Sequence, residues 1–186
     1  PIFPCPTAPV APTIPTLYFF DMDIFCKKIL KKCESLNIET TKHCIFVSIA
    51  KQKLYLFKDN LLFLEAKVST SRNPPSCVEG SLGTPLGLHK IDGKIGDGET
   101  MDTVFRGRVP CGKLSEQSEE EKLKNLILGR ILRLRGLEEG KNSGGNVDTY
   151  KRYVYIHGTN QEDKLGTPNS HGCVLVGAND LKRLFD

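Results

Sequence analysis

Tryptophan is missing from the 186 residues and methionine occurs twice, so aromatic packing falls to nine Phe and five Tyr. No C-x-x-C pair joins any of the seven cysteines at 5, 26, 33, 44, 77, 111 and 173. That excludes a disulfide scaffold, and the odd number leaves at least one thiol unpaired within the chain. Cys77 and Cys111 both sit in loop-like contexts, and the sequence does not decide whether they pair. No uninterrupted apolar run reaches the ~18 residues of a membrane span. No G-K-[ST] follows Gly144-Gly145, which argues against a phosphate loop there. The net charge of +4 is mild. No aromatic-interleaved basic motif accompanies it, so nucleic acid is not implied, while an anionic polymer remains compatible. The chain opens on Pro1 rather than Met, which leaves room for an export signal or anchor upstream.

The composition that is present divides the chain. Six of the eleven prolines fall within residues 1–16, the mark of a linker or extended arm of polyproline character. Residues 21–36 read as an amphipathic helix. Phe25, Ile29, Cys33 and Leu36 share a face, with Lys27, Lys28, Lys31 and Lys32 around the rest. Its plain role is to dock on the remaining chain; a membrane-surface or partner contact is the sharper one. These two segments set residues 1–42 apart from 43–186.

From Cys44 the apolar period becomes 2. Residues 44–49, 53–57 and 61–68, with a turn at Lys58-Asp59-Asn60, predict an antiparallel meander. Residues 69–87 are loop-rich, and 88–91 suit a short strand. His89 reads as structural or exposed. Ser118-Glu-Glu-Glu121 has the capping-box pattern of a short helix or ordered loop. Ile131–Arg135 alternates, with arginines on one side. Arg152–Ile156 and Val174–Val176 are further strands, and 179–185 begins a helix. The fold class expected is mainly β, with one or two peripheral helices.

Chemistry concentrates between residues 155 and 173. Tyr155-Ile156-His157-Gly158-Thr159 is followed, after a polar, turn-rich stretch, by Ser170-His171-Gly172-Cys173. The intervening segment predicts a loop that returns the chain toward the end of the strand at 154–156. Such a return would set the imidazole of His157 beside the Cys173 sulfur, and a thiol with a base in reach is an activated nucleophile. Paired in this way, its pKa should lie below the free value of about 8.5. Gly172 lets the backbone approach a ligand closely, and main-chain N–H groups at Gly172 and Cys173 would face an oxyanion. Other readings stand beside this one. Cys173 can be a small buried apolar residue. His157, His171 and Cys173 can be zinc ligands, although the usual close pairs are absent. His171 can be a hydrogen-bonded structural histidine.

A histidine, a gap of just over a dozen residues and then Ser-His-Gly-Cys resembles the signature of the L,D-transpeptidase (YkuD) catalytic domain family. Stretches at 68–71, 83–87, 94–96, 136–138, 144–148 and 184–186 are similar to those of the family, so the resemblance covers roughly residues 43 to 186. It implies a YkuD-like antiparallel β-sandwich or barrel with peripheral helices, preceded here by the helical extension. It implies Cys173 as nucleophile and His157 as proton carrier. Gly158 would lend its main-chain carbonyl to that histidine, and Ser170, His171 and Gly172 would shape the loop and oxyanion site. The implied chemistry is acyl transfer on peptidoglycan stem peptides through a thioester, giving 3→3 cross-links, with no metal or organic cofactor. The implied location is the bacterial cell envelope, on its periplasmic side. Relatives usually carry a further strand beyond the point where this chain stops, which predicts a domain cut short at its C-terminus.

One position departs from the pattern. The second residue after the cysteine is commonly Arg, or Asn in some relatives, and here it is Leu175. A polar group there would orient the loop or a substrate carboxylate. Two rival classes follow: an L,D-carboxypeptidase or peptidoglycan amidase on the same scaffold, and a wall-binding domain without catalysis.

Overall fold

The computed structural model describes residues 27–186. The arm at 1–16 and the first part of the helix expected over 21–36 lie outside the described residues. The chain divides into two units, residues 1–39 and 40–186. In the first, helix α1 covers 27–35 of the described chain, with Cys33 buried and the four lysines exposed. It ends at Asn37, in the left-handed region at φ +53, where Ile38 N–H returns to Cys33 O. Asparagine tolerates that conformation, and the turn satisfies a carbonyl the helix leaves open.

The second unit is mainly β. Nine strands form one mixed sheet: β1 (His43–Ser48), β2 (Lys53–Lys58), β3 (Leu61–Ser69), β4 (His89–Ile95), β5 (Thr103–Arg106), β6 (Val109–Lys113), β7 (Ile127–Gly136), β8 (Tyr155–Gly158) and β9 (Val174–Val176). Their order is β1-β2-β3-β9-β8-β7-β5-β6, with β4 also on β7. The meander β1–β2–β3 is antiparallel as the period predicts. Asp59 and Asn60, at φ +48 and +64, make its second turn, the two-residue geometry that suits the twist of a hairpin.

Two features depart from the sequence-based expectation. Strands β8 and β9 run parallel, so the sheet is mixed rather than wholly antiparallel. The reason is the segment between them, which is long enough to carry the chain back to the start of its neighbour. The hairpin β5–β6 was not expected at all. Gly107 and Arg108 turn it at φ +54 and +73, a pair outside the usual Asn-Gly and Asp-Gly signals, and Pro110 interrupts its second strand. The short helix α2 (Glu119–Lys122) forms as its capping pattern predicts, with Ser118 Oγ accepting the Glu121 N–H. Helix α3 (Ala178–Phe185) closes the described chain.

The sheet's alternation sorts its side chains into two groups. Leu132 of β7, Ile156 of β8, and Val174 and Val176 of β9 join Leu54, Leu64 and Val68 in the main core, which Leu181, Leu184 and Phe185 of α3 complete. Ile131, Tyr155 and Phe105 gather in a second cluster, against which Cys173 packs. A strand places successive side chains on opposite faces. One face of β7–β8–β9 thus stabilises the domain while the other is left to carry Cys173.

Candidate active site

Register across β7, β8 and β9 lays out the site. Ile131, His157 and Leu175 pair across the three strands. In the adjacent row Arg133 pairs with Tyr155, and Cys173, one residue before β9, lies against Tyr155 through its sulfur. Tyr155 N–H donates to Cys173 Sγ at 3.4 Å, and the thiol donates to Tyr153 O at 3.7 Å. His157 and Cys173 therefore share a face as diagonal neighbours, one row apart. Neither side chain hydrogen-bonds the other among the described residues. The direct neighbour of His157 on β9 is Leu175, which is 1% exposed.

His157 Nδ1 instead meets Gly158 O at 2.8 Å. With that carbonyl as acceptor, Nδ1 carries the proton and Nε2 is left as the basic nitrogen. Burial pushes the imidazole down to about 4, opposed by the hydrogen bond to the Gly158 carbonyl. The ring is neutral across the physiological range. Burial likewise pushes the Cys173 thiol up to about 11, opposed by the Tyr155 N–H and the Arg152 charge. The expectation of a lowered thiol pKa is not met. It required an imidazolium beside the sulfur, and the register supplies none.

The turn that presents Cys173 is held by Ser170. Its hydroxyl donates to Cys173 O at 2.6 Å and accepts from Gly172 N at 3.2 Å. The Gly172 N–H is thereby engaged by protein rather than free for an oxyanion. Gly172 itself stands at φ +122, with Leu82 O and Gly83 O 3.4 Å from where its Cβ would be. A side chain here would be strained whatever the space. His171 points outward, 3.5 Å from Arg72 Nη2, and reaches the cleft in front of the sulfur. This open cleft, of ≈ 250 Å³, is lined by Glu79, Leu82, Lys151, Arg152, His171 and Cys173 among others. Tyr153, whose carbonyl faces the thiol, is a non-glycine residue at φ +56. Strain of this kind collects at working sites.

Several supporting residues gave no local signal in the sequence. Gln52 is buried, and its amide binds both the N–H and the hydroxyl of Thr70. Thr70 O in turn accepts from Asn169 N and Ser170 N, so the reactive turn rests on a residue from the first hairpin. Asn125 accepts from Thr159 Oγ1 and donates to Asn169 O. Cys77 and Cys111 are both free thiols. His89 binds Gly87 O and Thr149 Oγ1 away from the cleft. Among the described residues no group of three or more His, Cys, Asp or Glu is placed to hold a metal ion, and His157, His171 and Cys173 do not form one.

Fold and site together define a mainly β domain that presents a cysteine after a tight Ser-His-Gly turn. The family model of the L,D-transpeptidase catalytic domain, YkuD, matches residues 42–186, and the chain belongs to that family. No curated protein matches it significantly. Solved structures similar to it include an L,D-transpeptidase from Mycobacterium smegmatis, at 13% identity and TM-score 0.47, covering 78% of this chain and 54% of the other. L,D-transpeptidase 3 of Mycobacterium tuberculosis, with a faropenem-derived adduct, has 13% identity and TM-score 0.45, covering 76% and 54%. The catalytic domain of the E. faecium enzyme, acylated by ertapenem, has 17% identity and TM-score 0.45, covering 79% and 90%. The chain spans about half the length of the first of these.

Two outcomes follow from the burial of this face. The folded-state pKa of His157 lies below its unfolded value, so its contribution to stability is full above about 6.5 and is lost as pH falls through about 4. The size is on the order of 3 kcal/mol. Denaturant unfolding of wild type should weaken across that window, and His157→Gln should show a flatter acid profile; equal slopes would contradict the burial argument. Leu175→Arg would force a guanidinium into the row beside His157, where no carboxylate waits. We expect a loss of about 3–5 kcal/mol, read as a lower Tm. An unchanged Tm with a lower KM would instead make position 175 a substrate contact.

Proposed function

We propose that this chain is a cysteine-dependent L,D-transpeptidase acting on peptidoglycan stem peptides at the bacterial cell envelope, on its periplasmic side. The observation that carries the reading is the Cys173 sulfur, set at the floor of an open cleft by the Ser170 turn, in a chain of this family. Cys173 Sγ attacks the carbonyl of the third residue of a donor tetrapeptide. The S–C bond forms, and the oxyanion is held by the main-chain N–H of Cys173, since that of Gly172 is engaged by Ser170. Collapse breaks the C–N bond to the terminal residue, whose amine takes up a proton as it leaves. A side-chain amine of a second stem then attacks the thioester, giving a 3→3 link and restoring the thiol. Water in place of that amine would give L,D-carboxypeptidase activity.

His157 is the proton carrier in this reading. It is neutral, with Nδ1 on the Gly158 carbonyl and Nε2 unbonded, which is the form a general base requires. The thiol is protonated at rest, so its proton must move as the attack proceeds rather than beforehand. Closing the diagonal between His157 and Cys173 is then part of the reaction, and substrate in the cleft must accompany it. No metal or organic cofactor enters the scheme.

A second reading has a specific observation behind it. The unbonded pair and the raised thiol fit a wall-binding domain that has lost turnover. One experiment separates them. Incubation with a disaccharide tetrapeptide, followed by mass spectrometry, should show an acyl-enzyme and either a cross-linked or a trimmed product. A carbapenem should add one acyl group to wild type and none to Cys173→Ala, with both proteins folded. An adduct of equal stoichiometry on the variant would remove Cys173 from the scheme, and binding without any adduct would favour the wall-binding domain.

A further inference from the structure

Arg152 stands just before the strained Tyr153, in the wall of the cleft. Its guanidinium donates to Ser76 O at 3.0 Å, to Gly83 O at 2.8 Å and to Ser81 Oγ at 3.4 Å. All three acceptors are neutral and belong to one loop. No ion pair includes Arg152 among the described residues. A half-buried cation with no carboxylate partner is costly, and burial does hold this guanidinium below its ordinary value. The groups that oppose that loss are the thiols of Cys77 and Cys173 and the carboxylate of Glu79.

The loop that Arg152 grips also meets the reactive turn. Leu82 O and Gly83 O crowd the position of a Gly172 side chain, and Leu82 O accepts from Ser71 Oγ at 2.7 Å. Ser71 bridges to Ser170. Arg152 is thus bonded to the loop that meets the reactive turn, and it lines the same cleft as the sulfur. Other charges reach the cleft less well. Lys151 is exposed and screened, His171 lines the cleft but lies exposed beside Arg72, and Glu79 is exposed and of the wrong sign to help a thiolate. Phe105, Ile131 and Tyr155 press on Cys173 from the sheet and carry no charge. His157, on the same face, is neutral.

We propose that Arg152 is a positioning residue of this site: it clamps the 76–83 loop against the Cys173 turn and supplies the positive charge that favours the sulfur as thiolate. The inference rests on the reading of Cys173 as nucleophile. It assigns the electrostatic part of thiol activation to the chain segment before β8, and leaves His157 the proton transfer alone.

The test uses a neutral alkylating reagent and no peptidoglycan. Wild type, Arg152→Lys and Arg152→Gln are treated with iodoacetamide over a range of pH. The rate at Cys173 is read by peptide mass spectrometry, which separates it from the other six cysteines. Loss of a unit charge near a desolvated thiol should displace the profile by about one pH unit, so Arg152→Gln should react roughly tenfold more slowly at a fixed mildly alkaline pH. Arg152→Lys keeps the charge and loses the fork of hydrogen bonds, so it should stay within about threefold of wild type while melting lower. A Gln profile that superimposes on wild type overturns the proposal. So does a Lys variant that slows as far as the Gln variant, since that would be a purely structural effect. Should Arg152→Gln fail to fold, the Lys variant decides against wild type: a rate within about threefold supports the proposal, and a loss of about tenfold overturns it. Alkylation is independent of acyl transfer, so a failed carbapenem reaction and a failed charge effect are told apart.

Discussion

The parallel pairing of β8 with β9 fixes what this domain can do. A parallel neighbour demands that the chain travel back before it pairs, and that excursion is residues 159–173. The return sets the end of the excursion beside Tyr155, so Cys173 arrives at the head of β9 rather than within it. It also brings Leu175 opposite His157 and Val174 opposite Ile156. One pairing thereby decides which side chains enter the main core and which face the cleft. A slip of one residue would turn Cys173 into the core and Val174 out of it.

That placement has an electrostatic consequence. The face that carries Cys173 and His157 is apolar at its centre, because Ile131, Tyr155 and Leu175 fill it. An apolar surround disfavours the charged form of any group it encloses, so it lowers a histidine and raises a cysteine together. Their pKa values cross: the thiol holds its proton and the imidazole has none to give. A resting thiolate–imidazolium pair cannot form under those conditions. Reactivity then depends on a charge from outside the apolar row, and on substrate groups that replace lost water.

Much of this was legible in the chain, for reasons that differ between elements. The β1–β3 meander follows from short apolar strands of period near 2 and an Asp-Asn turn. Helix α2 follows from Ser118 and Glu121, and β7 with its arginine-bearing face from arginines on alternate residues. The spacing of His157 and Cys173 pointed to the candidate site, because glycine and small hydroxyls around a cysteine carry local meaning. What was hidden is non-local. The hairpin β5–β6 turns on Gly-Arg, which few strands use. The parallel sense of β8 and β9 depends on how a long loop folds back. Gln52 looks like any polar residue in a turn, and its role appears only when Thr70 and Ser170 are seen stacked upon it.

The change at position 175 and the place of Arg152 belong to one argument about charge. On the row Ile131–His157–Leu175 a guanidinium would have lain beside the histidine, within the sheet. With leucine there the row is closed, and His157 is buried beside an apolar rather than a polar neighbour. The cation of this site comes instead from the segment leading into β8, at the open side of the cleft, where solvent and loop carbonyls share the cost of its burial. A charge at the rim acts on the sulfur through the cleft and not on the imidazole behind it. The thiol and its base are therefore tuned by different parts of the chain: the sheet holds the histidine neutral, and the loops govern the cysteine.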